Sequence, residues 1–183
     1  MATPRSHHAS LAAVRTDAGI LPTPWILHLG RSQAKGTLVM KPVIQLERTG
    51  CGIASVAALA GVSYQAAREA AGRLGIRAED HRLWSETTPV RRLLKRYRLR
   101  GSSKEQPFRS WAALPKRSLL AIKWRRTRGR ACWHWVVCVK DGSTYVLDSS
   151  PLLKRHVRTD FRRMKPKWFI AVQRLPSRSV LAP

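Results

Sequence analysis

The chain has 183 residues, 44% of them hydrophobic, with seven tryptophans and a formal net charge of +25. This length suits one domain with a proper core, and the composition excludes a wholly disordered chain. No apolar run approaches the ~20 residues of a membrane span, and Pro22 and Pro24 break the best apolar stretch near the N-terminus, so no signal peptide is read there.

The charge makes polyanions candidate partners, whether nucleic acid, acidic protein or anionic membrane. The basic residues are spread along the chain with no nucleic-acid motif among them. Any nucleic-acid binding is therefore expected to be weak and non-specific, and solvated Arg-rich faces are an equally simple reading. The cysteines, Cys51, Cys132 and Cys138, are odd in number and lack a disulfide-framework spacing. Six residues of strand would hold the last two roughly 20 Å apart, beyond disulfide reach. Reduced thiols suit a cytoplasmic compartment.

In chain order, residues 1–39 mix Ala, Pro, Ser and Thr without periodicity and read as a disordered extension, with Met40 a candidate true start. Residues 40–183 read as the folded domain. An Ala-rich helix is predicted from Cys51 to its stop at Gly61. Ser63 then caps a second helix, YQAAREAAGRL. A loop carrying Trp84 leads to TTPVRRLLKRYRL, where Thr87 or Thr88 is the cap, Pro89 takes the first turn, and Val90, Leu93, Leu94 and Tyr97 form the buried stripe.

The second half has strand character. SLLAIKW is one short strand, and CWHWVVCVKDGSTYVLDSS is a β-hairpin turning at Asp141-Gly142. A short helical turn after Asp160 and a last strand, KWFIAVQRL, follow. Helices first and an antiparallel sheet second predict an α+β fold. Most of the tryptophans are expected to fill the core between the layers. Asp80-His81 reads as solvated loop.

Gln45, Cys51, His134 and Asp148 align with the requirements of acyl chemistry. A cysteine nucleophile needs its thiolate, which a helix N-terminus favours. It needs a base, and His134 lies on a strand that can present it rigidly. The base needs an orienting acceptor, and Asp148 ends the partner strand. The developing oxyanion needs donors, and Gln45 on the entering loop could offer its amide beside the Cys51 N–H. Each residue alone has a plainer reading, as a small hydrophobe, a structural histidine or a strand end. Their order and placement together carry the assignment. Strand alternation puts Cys132, His134, Val136 and Cys138 on one face, where small neighbours are expected to leave room for the helix carrying Cys51. Zinc on Cys132, His134 and another thiol has poor ligand spacing. No metal or cofactor is expected.

GCGIASVAALAGVSYQAA and WHWVVCVKDGSTYVLDSS resemble the nucleophile helix and the His–Asp hairpin of papain-like cysteine peptidases, and within them the double-glycine peptidases that trim leader peptides for bacteriocin export. The likeness covers about residues 40–175. It departs at Asp148-Ser149, where the family commonly has Asp-Pro. The resemblance implies a papain-like α+β fold and a thiol peptidase or amidase acting on peptide or protein substrates. It assigns Cys51 as nucleophile, His134 as general base, Asp148 as orienting residue and Gln45 as oxyanion-hole donor. Two other functions stay open: a basic binding or adaptor module on a catalytically weak scaffold of this kind, and acyl transfer to an amine through the same thioester. Residues 124–130, WRRTRGR, precede the His134 strand and would select acidic or phosphorylated substrates, or form an exposed basic loop.

Overall fold

Helix α1 (Cys51–Ala60) is buried from Cys51 to Leu59. Its small side chains let it approach its neighbours closely, and Ile53, Val56 and Leu59 fill the space between. It stops at Gly61, whose φ of 74° gives the left-handed turn that returns its N–H to the carbonyls of Ala57 and Ala58. The computed structural model describes residues 40–176. The disordered extension expected over residues 1–39 lies outside them.

Ser63 caps α2 (Tyr64–Arg73) by accepting the Ala66 N–H at 3.2 Å, and Ala67, Ala70 and Ala71 are buried. The segment read as a loop around Trp84 holds a 3-10 turn, His81–Trp84, capped by the Asp80 carboxylate. In α3 (Thr88–Arg96) Pro89 sits in the first turn, and Val90, Leu93 and Leu94 are buried. Thr87 precedes α3 without capping it: its hydroxyl oxygen accepts from Arg91 Nε at 3.3 Å and its proton goes to Glu105.

Seven strands follow: β1 (Leu99–Gly101), β2 (Gln106–Pro107), β3 (Arg117–Thr127), β4 (Arg130–Asp141), β5 (Ser143–Asp148), β6 (Val157–Arg158) and β7 (Trp168–Arg174). They pair antiparallel in the order β1-β7-β3-β4-β5-β6, with β2 also on β7. Among the described residues, three α-helices and this sheet make a mixed α+β fold. The β4–β5 hairpin turns at Asp141-Gly142, where Gly142 has φ 76°. β1, β2 and β6 have two or three residues each. Such lengths show no periodicity, so sequence patterning cannot find them.

The two faces of β4 have different partners. Trp133, Trp135, Val137 and Val139 pack with the helices, while Val136 and Cys138 pack in a second core with Leu120, Ile122, Met164 and Phe169. Sequence alternation sorts these faces correctly but predicts the wrong one for α1. The helix lies on the tryptophan face: the Gly52 backbone leaves room for no side chain beside Val90 and Trp135. Large aromatic rings are the better partner for an Ala-rich helix, because they fill the space its small side chains leave. Trp133, Trp135 and Trp168 meet edge to face at 5.0 to 5.6 Å, each contact contributing about 0.5–1.5 kcal/mol beyond area burial. Among the described residues no helix is long and apolar enough to cross a membrane.

Candidate active site

Cys51 is the first residue of α1 and 1% exposed. Gly50 precedes it, and no side chain caps the helix start. The first-turn N–H groups therefore point their partial positive charge towards the thiol end of the helix.

His134 and Cys51 line one cleft, although strand alternation places His134 with Val136, on the face away from α1. The local backbone is irregular there. Pairing between β4 and β5 ends at Val136↔Asp148, and β3 bulges between Ile122, the partner of His134, and Arg125. Lys123 within the bulge has φ 53°. The bulge thus falls directly beside His134, and a bulge bends and twists its strand.

The imidazole Nε2 lies 2.7 Å from Asp148 Oδ1. Cys51 lines the same cleft as the ring, and its thiol donates to the Thr49 carbonyl at 4.0 Å. Burial pushes the His134 pKa down, but Asp148 and Cys51 outweigh it and lift the ring to about 9. Asp148 is fully buried. Burial pushes its carboxyl up, yet hydrogen bonds from His134, the Ser150 N–H and Arg158 hold it down at about 2.

Arg158, which the sequence reading did not single out, donates from Nη1 to Asp148 Oδ2 at 2.6 Å and grips Asp160 through Nε and Nη2 at 2.9 and 2.7 Å. Only the register of β6 beside β5 reveals it, since Arg158 pairs with Val146, two residues before Asp148.

Gln45 is buried and does two jobs in the loop. Its N–H donates to the Ser149 carbonyl and its Oε1 accepts from the Ser149 hydroxyl, each at 3.0 Å. Its Nε2 donates to the carbonyls of Glu47 and Arg48, both at 3.0 Å. The residue thus fastens the loop before Cys51 to the segment after Asp148. Both amide hydrogens are engaged with that loop rather than aimed past the thiol.

Gln45, Cys51 and His134 line one cleft of about 360 Å³, walled also by Trp84, Trp133 and residues 150–152. Asp148 stands behind His134. The four residues thus come together. The other thiols do not join them: Cys132 contacts the Thr127 hydroxyl at 3.4 Å, and Cys138 lies in the second core, where burial pushes its thiol up to about 11. Neither Asp80 nor His81 lines the cleft, and Asp80 is paired to Arg82 at 2.6 Å. Of the tryptophans, Trp133 and Trp135 are core residues as expected, whereas Trp124 is 38% exposed.

No protein-family profile matches the sequence, and no curated protein matches it. Among solved structures, it is similar to a double glycine motif protease from an AMS/PCAT transporter, crystallised in complex with the leader peptide. The two are 18% identical with a TM-score of 0.47, over 74% of this chain and 91% of that one.

Proposed function

We propose that the protein is a papain-like cysteine peptidase or amidase. The observation that carries this reading is the position of His134, with Nε2 on Asp148 and its ring in the wall of the same open cleft as Cys51. A histidine needs no second partner to be a structural residue. One oriented by a buried carboxylate and sharing a cleft with a thiol at a helix N-terminus is arranged for nucleophilic catalysis.

In this mechanism Cys51 Sγ attacks the substrate carbonyl carbon as the carbonyl π electrons move to oxygen. His134 holds the proton and delivers it to the leaving amine as the tetrahedral species collapses to a thioester. Water then attacks the thioester, with His134 accepting its proton, and Cys51 leaves as thiolate. Asp148 keeps the ring oriented throughout. The Cys51 N–H is the oxyanion donor nearest the reacting atom. Gln45 adds a second only by releasing one of its loop carbonyls, and otherwise serves by holding the loop in place. Acyl transfer to an amine uses the same thioester, with an amine replacing water.

A peptide carrying an electrophilic carbonyl, such as a peptidyl chloromethyl ketone, tests the reading by intact-mass and peptide spectrometry. One adduct on Cys51, lost in His134→Ala, is expected. A native protein that takes up no probe at Cys51 is not a thiol peptidase, and the basic binding module then stands in its place.

A further inference from the structure

The cleft is the middle of three cavities that share walls. A cavity of about 670 Å³ shares Arg48, Trp84 and Arg125 with it and adds Arg128 and Arg130. On the other side one of about 600 Å³ shares Lys123 and adds Lys154 and Arg155. These seven cations are exposed, and among the described residues none has a carboxylate partner. The carboxylates on the same walls are taken: Glu47 by Arg68 at 2.9 Å and by the Tyr64 hydroxyl, Asp160 by Arg158 at 2.7 Å. Surface cations are ordinarily solvated and scattered. Here they form one uncompensated track with Cys51 at its centre, and such a track focuses field on an anion of matching length.

We propose that this track binds an acidic polypeptide in extended form, with carboxylates on both sides of the residue presented to Cys51. The location of the scissile bond rests on the peptidase reading, while the binding track does not. Three observations favour a polypeptide over a nucleic acid. Leu46 and Leu152, 71% and 92% exposed, flank the nucleophile and suit apolar side chains. Lys123 to Thr127 covers roughly 13 Å of β3, the length of a short extended peptide. Stacked bases need successive open aromatic faces, yet Trp133 is buried, Trp84 is covered by Arg48 at 5.7 Å and flanked by His81, and the half-exposed Trp124 is covered by Lys167 at 5.5 Å.

The test uses the full-length Cys51→Ala protein and three labelled probes of equal length: a Glu/Gly/Leu peptide, its Gln counterpart and oligothymidylate. At physiological salt the Glu peptide should bind at least about tenfold more tightly than the Gln peptide. Lys123→Glu with Arg125→Glu should remove about tenfold of that affinity, while Lys95→Glu with Arg96→Glu, an equal charge change on exposed α3 positions, should remove less than about threefold. In the wild-type chain the Glu peptide should also slow alkylation of Cys51. Equal losses in the two double variants would overturn the proposal, because net charge alone would then explain binding. Tighter binding of oligothymidylate, dependent on Lys123 and Arg125, would overturn it in favour of nucleic acid. Selective peptide binding by a protein whose Cys51 ignores the chloromethyl ketone supports the track and removes the hydrolase.

Discussion

Arg158 holds Asp148 from the side opposite His134: Nη1 meets Oδ2 at 2.6 Å while Oδ1 faces the imidazole at 2.7 Å. The carboxylate that orients the base is therefore shared with a second cation. Sharing fixes the carboxylate plane and moderates how strongly its charge favours the imidazolium.

Arg158→Met should show both effects. The pair is mostly buried, with side chains 10% and 0% exposed, so breaking it should cost about 3 kcal/mol in denaturant unfolding. Freed of Arg158, Asp148 stabilises the imidazolium more strongly, so the alkaline limb of turnover should move above that of the parent protein. Loss of stability with an unmoved alkaline limb would restrict Arg158 to a structural role.

The pH dependence follows from His134. Its pKa is raised from 6.5 to about 9 in the folded chain, so its charged form adds stability that is fully present below about pH 6.5 and is lost as pH rises through about 9. The melting temperature should fall between about pH 7 and about pH 10, and fall less in His134→Phe. Turnover of an acyl-aminocoumarin substrate should decline with an apparent pKa near 9, because the neutral ring cannot protonate the leaving amine. Asp148, lowered to about 2, contributes stability above its ordinary value near 4 that disappears only as pH falls through about 2, so it should not limit activity in the neutral range.

Most of this arrangement is legible in the sequence, and the failures have physical causes. The Ala-rich helix, Gly61, Ser63, Pro89 and Asp141-Gly142 act through local backbone chemistry, which sequence displays directly. His134 and Asp148 are legible because the hairpin turn fixes which strands pair. The face taken by α1 is not, since it depends on three tryptophans from two strands meeting one another. Arg158 is hidden because a two-residue strand sets its register. The commitment of the Gln45 amide to Glu47 and Arg48 is a property of loop conformation, which residue spacing does not encode.

Gly52 is a second packing constraint on the nucleophile. A Cβ there would meet Val90 Cγ2 at 2.8 Å and Trp135 Cδ1 at 3.3 Å. Alanine normally favours a helix by about 1 kcal/mol over glycine, but overpacking a filled core costs about 1–3 kcal/mol. Gly52→Ala should therefore be destabilising in a thermal or denaturant melt. It should also slow labelling of Cys51, because the helix start must back away from β4 and from His134. A more stable variant would show that α1 has slack against the tryptophan face.

Gln45→Ala separates the two duties of that side chain. Three side-chain hydrogen bonds are lost, to Glu47, Arg48 and Ser149, and the freed buried groups should cost about 1–3 kcal/mol of stability. If the amide also swings to the oxyanion, kcat should fall by roughly 10²-fold with alkylation of Cys51 little changed. Parallel losses of alkylation and kcat would show instead that Gln45 acts by holding the loop.

The three thiols separate the enzyme from a binding scaffold at least cost. Cys51 opens onto the cleft beside a ring that stays protonated to about pH 9. Cys132 borders the neighbouring groove but is spent in contacts with Thr127 and the Arg125 carbonyl. Cys138 is 0% exposed, with its thiol pushed up to about 11 by burial. Limiting iodoacetamide near neutral pH should therefore label Cys51 first, Cys132 more slowly, and Cys138 only after unfolding. His134→Ala should slow the first reaction, since the imidazolium that pairs with the thiolate is gone. Cys51 is itself only 1% exposed, so its lead has to come from chemistry and from the open cleft rather than from surface area. If Cys51 reacts no faster than Cys132, or waits for denaturant as Cys138 should, burial governs all three and the nucleophile assignment fails.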